Sequence, residues 1–202
     1  MPRLAGQIDV YKNEAILDAA VEVFAERGVA ASVEEIARRA CVSKQTIYNH
    51  YGSKADLVRA VMDRRVHEIT ASLETPTAVE HPAEALAEFA RVLLQAVMRP
   101  QGPAFLRMAM LGVAEMPEVA AAIYEAGARA SRKRLGAFLE LETRAGRLVC
   151  PDPLQAAEFF AGMALGSFQT ATLLGVDPEL DPPRIDRIAT EAAARFMRAY
   201  AP

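Results

Sequence analysis

The chain has little with which to build a metal centre, a disulfide framework or a catalytic triad. Its two cysteines, Cys41 and Cys150, are too few for a disulfide scaffold or a four-cysteine zinc site. The histidines are His50, His67 and His81, and none stands in an H-E-x-x-H pattern. No P-loop, G-x-S-x-G or C-x-x-C run occurs. No cofactor and no metal are expected, and the expected reading is not an enzyme. No apolar run reaches the roughly 18 residues that a membrane helix needs. The opening MPRLAGQIDVYKNE lacks the apolar stretch of a secretory signal. A cytoplasmic chain with no membrane partner is therefore expected. Eleven glycines and twelve prolines among 202 residues exclude collagen-like and proline-rich low-complexity chains.

What is present is ordinary for a globular protein: 52% hydrophobic and 24% charged residues, enough for one or two packed domains. The net charge of −3 excludes a uniformly basic nucleic-acid binder. Its distribution is uneven. Residues 38–65 carry seven Lys or Arg against Asp56 and Asp63, a net +5, which leaves −8 for the rest. A basic patch on an acidic chain fits phosphate docking at one end, and it also fits a solvated helical surface.

No stretch alternates in the manner of a strand, and Ala, Leu, Glu and Arg dominate, so an all-α fold is expected. A first helix runs from about Asp9 to Arg27 with Ile16, Ala20, Val23 and Phe24 on one stripe. Gly28 follows it as a left-handed cap. A short second helix, Ser32 to Arg39, opens with the capping box Ser32-Val33-Glu34-Glu35 and turns Val33, Ile36, Ala37 and Ala40 inward. A third runs from the cap residue Ser43 to about Tyr51. Gly52 breaks it, and a second box at Ser53–Asp56 opens a helix to about Leu73. Further helices are expected over 82–99, 103–114, 117–144, 153–175 and 182–200, each starting at or beside a proline.

The second and third helices have the length and spacing of a helix-turn-helix. With Ile47 at the origin of a helical wheel, Tyr51 falls about 40° away, while Gln45 and Asn49 fall near 160° and 200°. Ile47 and Tyr51 form the buried stripe, and the two amides point away from it. Lys44, Thr46, Tyr48 and His50 flank them. Gln and Asn each match the major-groove edge of adenine, and the flanking types bind phosphate. Lys54 and the amides of Ser53 to Ala55 stand at a helix start, where anions are held.

VYKNEAILDAAVEVFAERG and SVEEIARRACVSKQTIYNHYGSKADLVRAVM resemble the tetracycline-repressor (TetR) family of bacterial transcription regulators over about residues 10–62. The resemblance implies a three-helix DNA-binding domain over 1–52, a connecting helix over 53–75, and a larger helical domain over 76–202 that binds ligand and dimerises. By the same resemblance Thr46, Tyr48, His50 and Lys54 match the usual DNA contacts. Gln45 and Asn49 occupy variable positions, where operator choice is expected. Residues 105–166, with the order FLR, PE, YEAG, AGRL, DP, AAE, resemble the C-terminal domain of the AefR-like subgroup. Two departures stand out. The stretch Gly28 to Val33 is one residue shorter than the usual loop. Cys41 stands where many members have Gly, a steric penalty if that turn needs positive φ. A thiol sensor and a half-buried turn residue are both open at Cys41.

In the larger domain, Phe89, Phe105, Met108, Tyr124 and Phe168 are the expected ligand-pocket residues, with a small apolar effector. Small and aromatic residues on 153–175 and 182–200 are expected to form a dimer interface through Phe159, Phe160, Met163, Ser167, Ile188 and Phe196. The run Arg129, Arg132, Lys133 and Arg134 is expected to be a solvated face. The expected function is that of a homodimeric, ligand-relieved repressor on a palindromic double-stranded operator, with the effector shifting the connecting helix. The other reading is a helical ligand-sensing or interaction module without DNA binding. The sequence leaves open the effector, the operator, and repression against activation.

Overall fold

The computed structural model describes residues 10–99 and 101–202, and among these there are helices and no strands. Helix α1 is Val10–Arg27, α2 Val33–Arg39, α3 Lys44–Tyr51 and α4 Lys54–Thr70. Then come α5 Pro76–Glu80, α6 Pro82–Met98, α7 Gln101–Gly112 and α8 Pro117–Ile123. The chain continues with α9 Ala130–Arg144, α10 Pro153–Leu165, α11 Phe168–Leu173 and α12 Pro182–Ala199. Pro76, Pro82, Pro117, Pro153 and Pro182 each occupy the first turn of a helix, where the missing N–H is not required. No described helix is long and apolar enough to cross a membrane.

The first four helices follow the sequence pattern closely. Ile16, Ala20, Val23 and Phe24 are buried as a stripe on α1, and Gly28 takes φ +56° at its end. Val33, Ile36 and Ala37 are buried on α2, and Ala40 is half-buried. Differences appear further on. A five-residue helix, Pro76–Glu80, forms where a plain break was expected. The expected helix 117–144 winds more widely as a π segment over Tyr124–Arg129. The expected helix 153–175 is two helices, because Gly166 turns the chain at φ +48° after Leu165.

The chain forms two compact units. The first comprises residues up to Met62 together with Ala104–Tyr124, and the second comprises Asp63–Pro103 and Glu125–Pro202. The sequence-based division placed 104–124 with the larger domain. In the structure that stretch groups with the first helices, because Phe105 meets Phe24 edge to face at 5.7 Å. The division between the two units falls inside α4, after Met62.

The second unit has one contiguous apolar core. Phe160 lies at its centre, 5.1 Å from Phe196 in edge contact and 6.1 Å from Phe89. Leu86, Leu94 and Leu135 are fully buried around them. A buried carboxylate, Glu142, takes a two-pronged bond from Arg147 at 2.6 and 2.8 Å. The expectation that Phe160 and Phe196 face a partner is corrected here. Both are 0% exposed within their own unit.

Candidate nucleic-acid interface

The site is built on α2 and α3, and local bonds hold each start. The Ser32 hydroxyl accepts from Glu35 N, while Ser32 N donates to the Glu35 carboxylate, both at 3.2 Å. This closes the expected capping box. The turn between the helices closes through Val42 N to Ala37 O at 2.9 Å. Cys41 sits in it at φ +54°, with its side chain exposed and not half-buried. Ser43 then accepts from Thr46 N at 3.0 Å and starts α3. Ile47 is buried at 1% exposure, which fixes the rotation of α3 about its axis.

That rotation sends the remaining side chains outward. Lys44, Gln45, Tyr48, Asn49 and His50 are exposed, and Thr46 and Lys54 are half-buried. The two amides are not independent: Gln45 Nε2 donates to Asn49 Oδ1 at 2.6 Å. The Thr46 hydroxyl lies 2.8 Å from that of Ser43. His50 meets the Tyr51 ring edge-on at 4.4 Å, and the Tyr51 hydroxyl donates to Asn13 on α1 at 2.6 Å. The exposed surface of a short, pinned helix therefore offers two amides, a phenol, an imidazole and an ammonium.

The electrostatics differ from the sequence count. Arg39 forms a two-pronged bond to Glu26 at 2.7 and 2.8 Å and reaches Glu22 at 3.5 Å. Lys44 is bonded to Glu34, and Arg59 to Asp56. The acids of the first two pairs lie outside the window that appeared basic. Over residues 10–62 there are seven basic and seven acidic residues, so this stretch carries no net charge. The Lys44 hydrogen bond holds the Glu34 carboxyl below its ordinary range, and the same bond raises the Lys44 ammonium.

Lys54 is placed differently from the other cations. Its Nζ lies 3.8 Å from Met116 Sδ and 6.0 Å over the Phe24 ring. Burial pushes its ammonium down, and the charge of Glu118 partly offsets that. The first turn of α4 already holds the Asp56 carboxylate, since Ser53 Oγ caps Asp56 N at 3.1 Å and donates to Asp56 Oδ2 at 2.5 Å.

The expected pocket residues are divided between the two units. Phe105, Met108 and Tyr124 belong to the first unit, and Phe89 and Phe168 to the second. Phe89, Phe105 and Met108 are buried, Phe168 is half-buried under Arg184, and Tyr124 is 58% exposed. An open groove of about 630 Å³ lies elsewhere in the second unit, against Ser72, Thr77, His81, Arg91 and Thr190. Of the expected interface residues, Phe159 and Met163 stand out on one face of α10 at 58% and 42% exposure. Ser167 is exposed and Ile188 half-buried. In the run 129–134, Arg129 pairs with Glu125, Arg132 with Glu158 and Arg134 with Glu74. The residue that sequence reasoning missed is Glu34. It was read only as part of a capping box, and its charge at a helix start facing the next helix was the available signal.

The family models agree with this architecture. Residues 16–61 match the bacterial regulatory proteins of the tetR family, and residues 84–202 match the C-terminal domain of AefR-like transcriptional repressors. The HTH-type transcriptional repressor Rv3405c of Mycobacterium tuberculosis is 35% identical over 118 residues, 57% of this chain. That match spans 63% of the relative's own length. The solved structure of the flavonoid-responsive regulator FrrA is 29% identical, with a TM-score of 0.71 over 96% of this chain and 99% of that one. A TetR-family regulator from Mesorhizobium loti has a TM-score of 0.75 over 96% and 98% at 24% identity, a likeness of fold. With a helix-turn-helix at residues 32–51 and an AefR-like domain over more than half of its length, the chain belongs to the tetR family of bacterial regulatory proteins.

Proposed function

We propose that the protein is a cytoplasmic, sequence-specific DNA-binding repressor that acts as a homodimer on a palindromic operator. The observation that carries this reading is the outward face of α3, where Gln45 and Asn49 are flanked by Lys44, Tyr48 and His50 on a helix pinned by Ile47. In a helix-turn-helix dimer two such helices read half-sites about one helical turn apart, ~34 Å. Exposed Phe159 and Met163, one turn apart on α10, support a two-fold interface there. The neutral charge of residues 10–62 supports binding that leans on base contacts more than on a bulk field.

Relief by a small, weakly polar effector completes the reading. FrrA is flavonoid-responsive, so a flavonoid is the first probe. An effector acts only through different affinities for two states, and a reversal from 1:99 to 99:1 takes a preference of about 10⁴-fold. The test is selection of bound sites from a random duplex library, followed by titration of the consensus. A palindrome bound by the wild type, and lost in Tyr48→Ala and Lys54→Ala, is the expected result. Folded protein that enriches no site at low salt would instead favour a ligand-sensing helical module.

A further inference from the structure

We propose that Glu34 is a built-in competitor for the DNA backbone, which holds down sequence-independent binding by occupying Lys44. This rests on the reading of α3 as the DNA-contacting helix. Glu34 stands in the first turn of α2 and Lys44 in the first turn of α3, and their side chains form an ion pair across the helix-turn-helix. Both are about half exposed, at 59% and 48%, so the pair lies on the surface and can exchange. Lys44 Nζ also lies 5.6 Å over the ring of Tyr48, which ties the pair to a second residue of the proposed contact face.

The consequence follows from how cations bind DNA. A lysine that neutralises a phosphate releases condensed counterions, and each such contact adds about 0.9 to the slope of log K against log salt. A lysine already neutralised by a carboxylate forfeits this gain. When Lys44 moves to a phosphate, Glu34 is left uncompensated and either takes up a cation from solution or repels the backbone. The phosphate contact then contributes little to affinity, and the base contacts of Gln45 and Asn49 carry more of it. Opposing charge placed against unwanted complexes is a general device for discrimination. Exposed pairs of this kind contribute little to folding, so stability is not an alternative reason for the pair.

The experiment measures affinity of the full-length protein for a random-sequence duplex between 50 and 200 mM salt. Glu34→Gln keeps the shape and removes the charge. Its slope should be steeper than the wild type's by about 0.9 per protomer, so that the affinity of a dimer falls about twelvefold more than the wild type's between 50 and 200 mM salt. Adding Lys44→Gln should return the slope to that of the wild type. Glu191→Gln, which removes a carboxylate paired with Arg195 on α12, should leave the slope unchanged. A slope unaltered by Glu34→Gln, or altered equally by Glu191→Gln, overturns the role of Glu34 while leaving α3 as the DNA helix. Folded wild type that selects no site from the random duplex library overturns both.

Discussion

Phe160 and Phe159 are neighbours in sequence, yet they should fail in different ways when truncated. Phe160 is 0% exposed, with Phe196 at 5.1 Å and Phe89 at 6.1 Å. Phe160→Ala removes a whole ring that packs on two others in the same buried core as Leu86, Leu94 and Leu135. Buried Phe→Ala changes cost about 3–5 kcal/mol, and each edge or tilted ring pair adds to that cost. The upper half of that range is expected here. For a chain of this size each kcal/mol moves the melting temperature by roughly 2–4 °C, so a drop of about 8–20 °C is expected. Phe159 is 58% exposed, and Phe159→Ala should leave the melting of the isolated chain within a degree or two while weakening self-association. Differential scanning calorimetry with sedimentation over a hundredfold range of concentration separates the two effects. If Phe160→Ala melts like the wild type and merely dissociates, the assignment of Phe160 to the core is refuted, and the opposite rotation of α10 is correct.

Cys41→Gly should raise the melting temperature by up to a few degrees. The left-handed conformation at φ +54° costs a side-chain-bearing residue about 1–2 kcal/mol, of which glycine's extra entropy returns about 0.5–1. A lower melting temperature would mean that the exposed thiol makes contacts worth more than the strain. The two thiols should also react at very different rates. Burial pushes the Cys150 thiol up, and only 3% of that residue is exposed, whereas Cys41 is exposed. A thiol reagent at about pH 8 should therefore titrate one thiol in the native protein and two in denaturant; two fast thiols in the native state would contradict the burial of Cys150.

Much of the first unit was legible because its signals are local. Ser32 with Glu35, Ser43 with Thr46, and Gly28 each satisfy or end a helix within four residues, so neighbouring positions along the chain suffice to find them. Ile47 set the rotation of α3, and the outward direction of Gln45 and Asn49 follows from the helical period alone. The larger unit was less legible. A helical stripe shows that a residue turns toward something apolar without naming what, and Phe160 and Phe196 on α10 and α12 fit a partner's surface as well as their own core. Gly166 inside an otherwise helical run likewise reads as tolerated until the chain turns there.

The sequence by itself determined the class of fold, the helix-turn-helix and the side chains offered by α3, since periodicity, capping and side-chain chemistry are properties of neighbours in the chain. Only the tertiary structure decided which charges cancel. Glu22, Glu26 and Glu34 meet Arg39 and Lys44 across distances of 10 to 17 residues, so a basic window in the chain becomes a paired surface in space. Coulomb attraction depends on separation through space, which a count along the sequence does not contain.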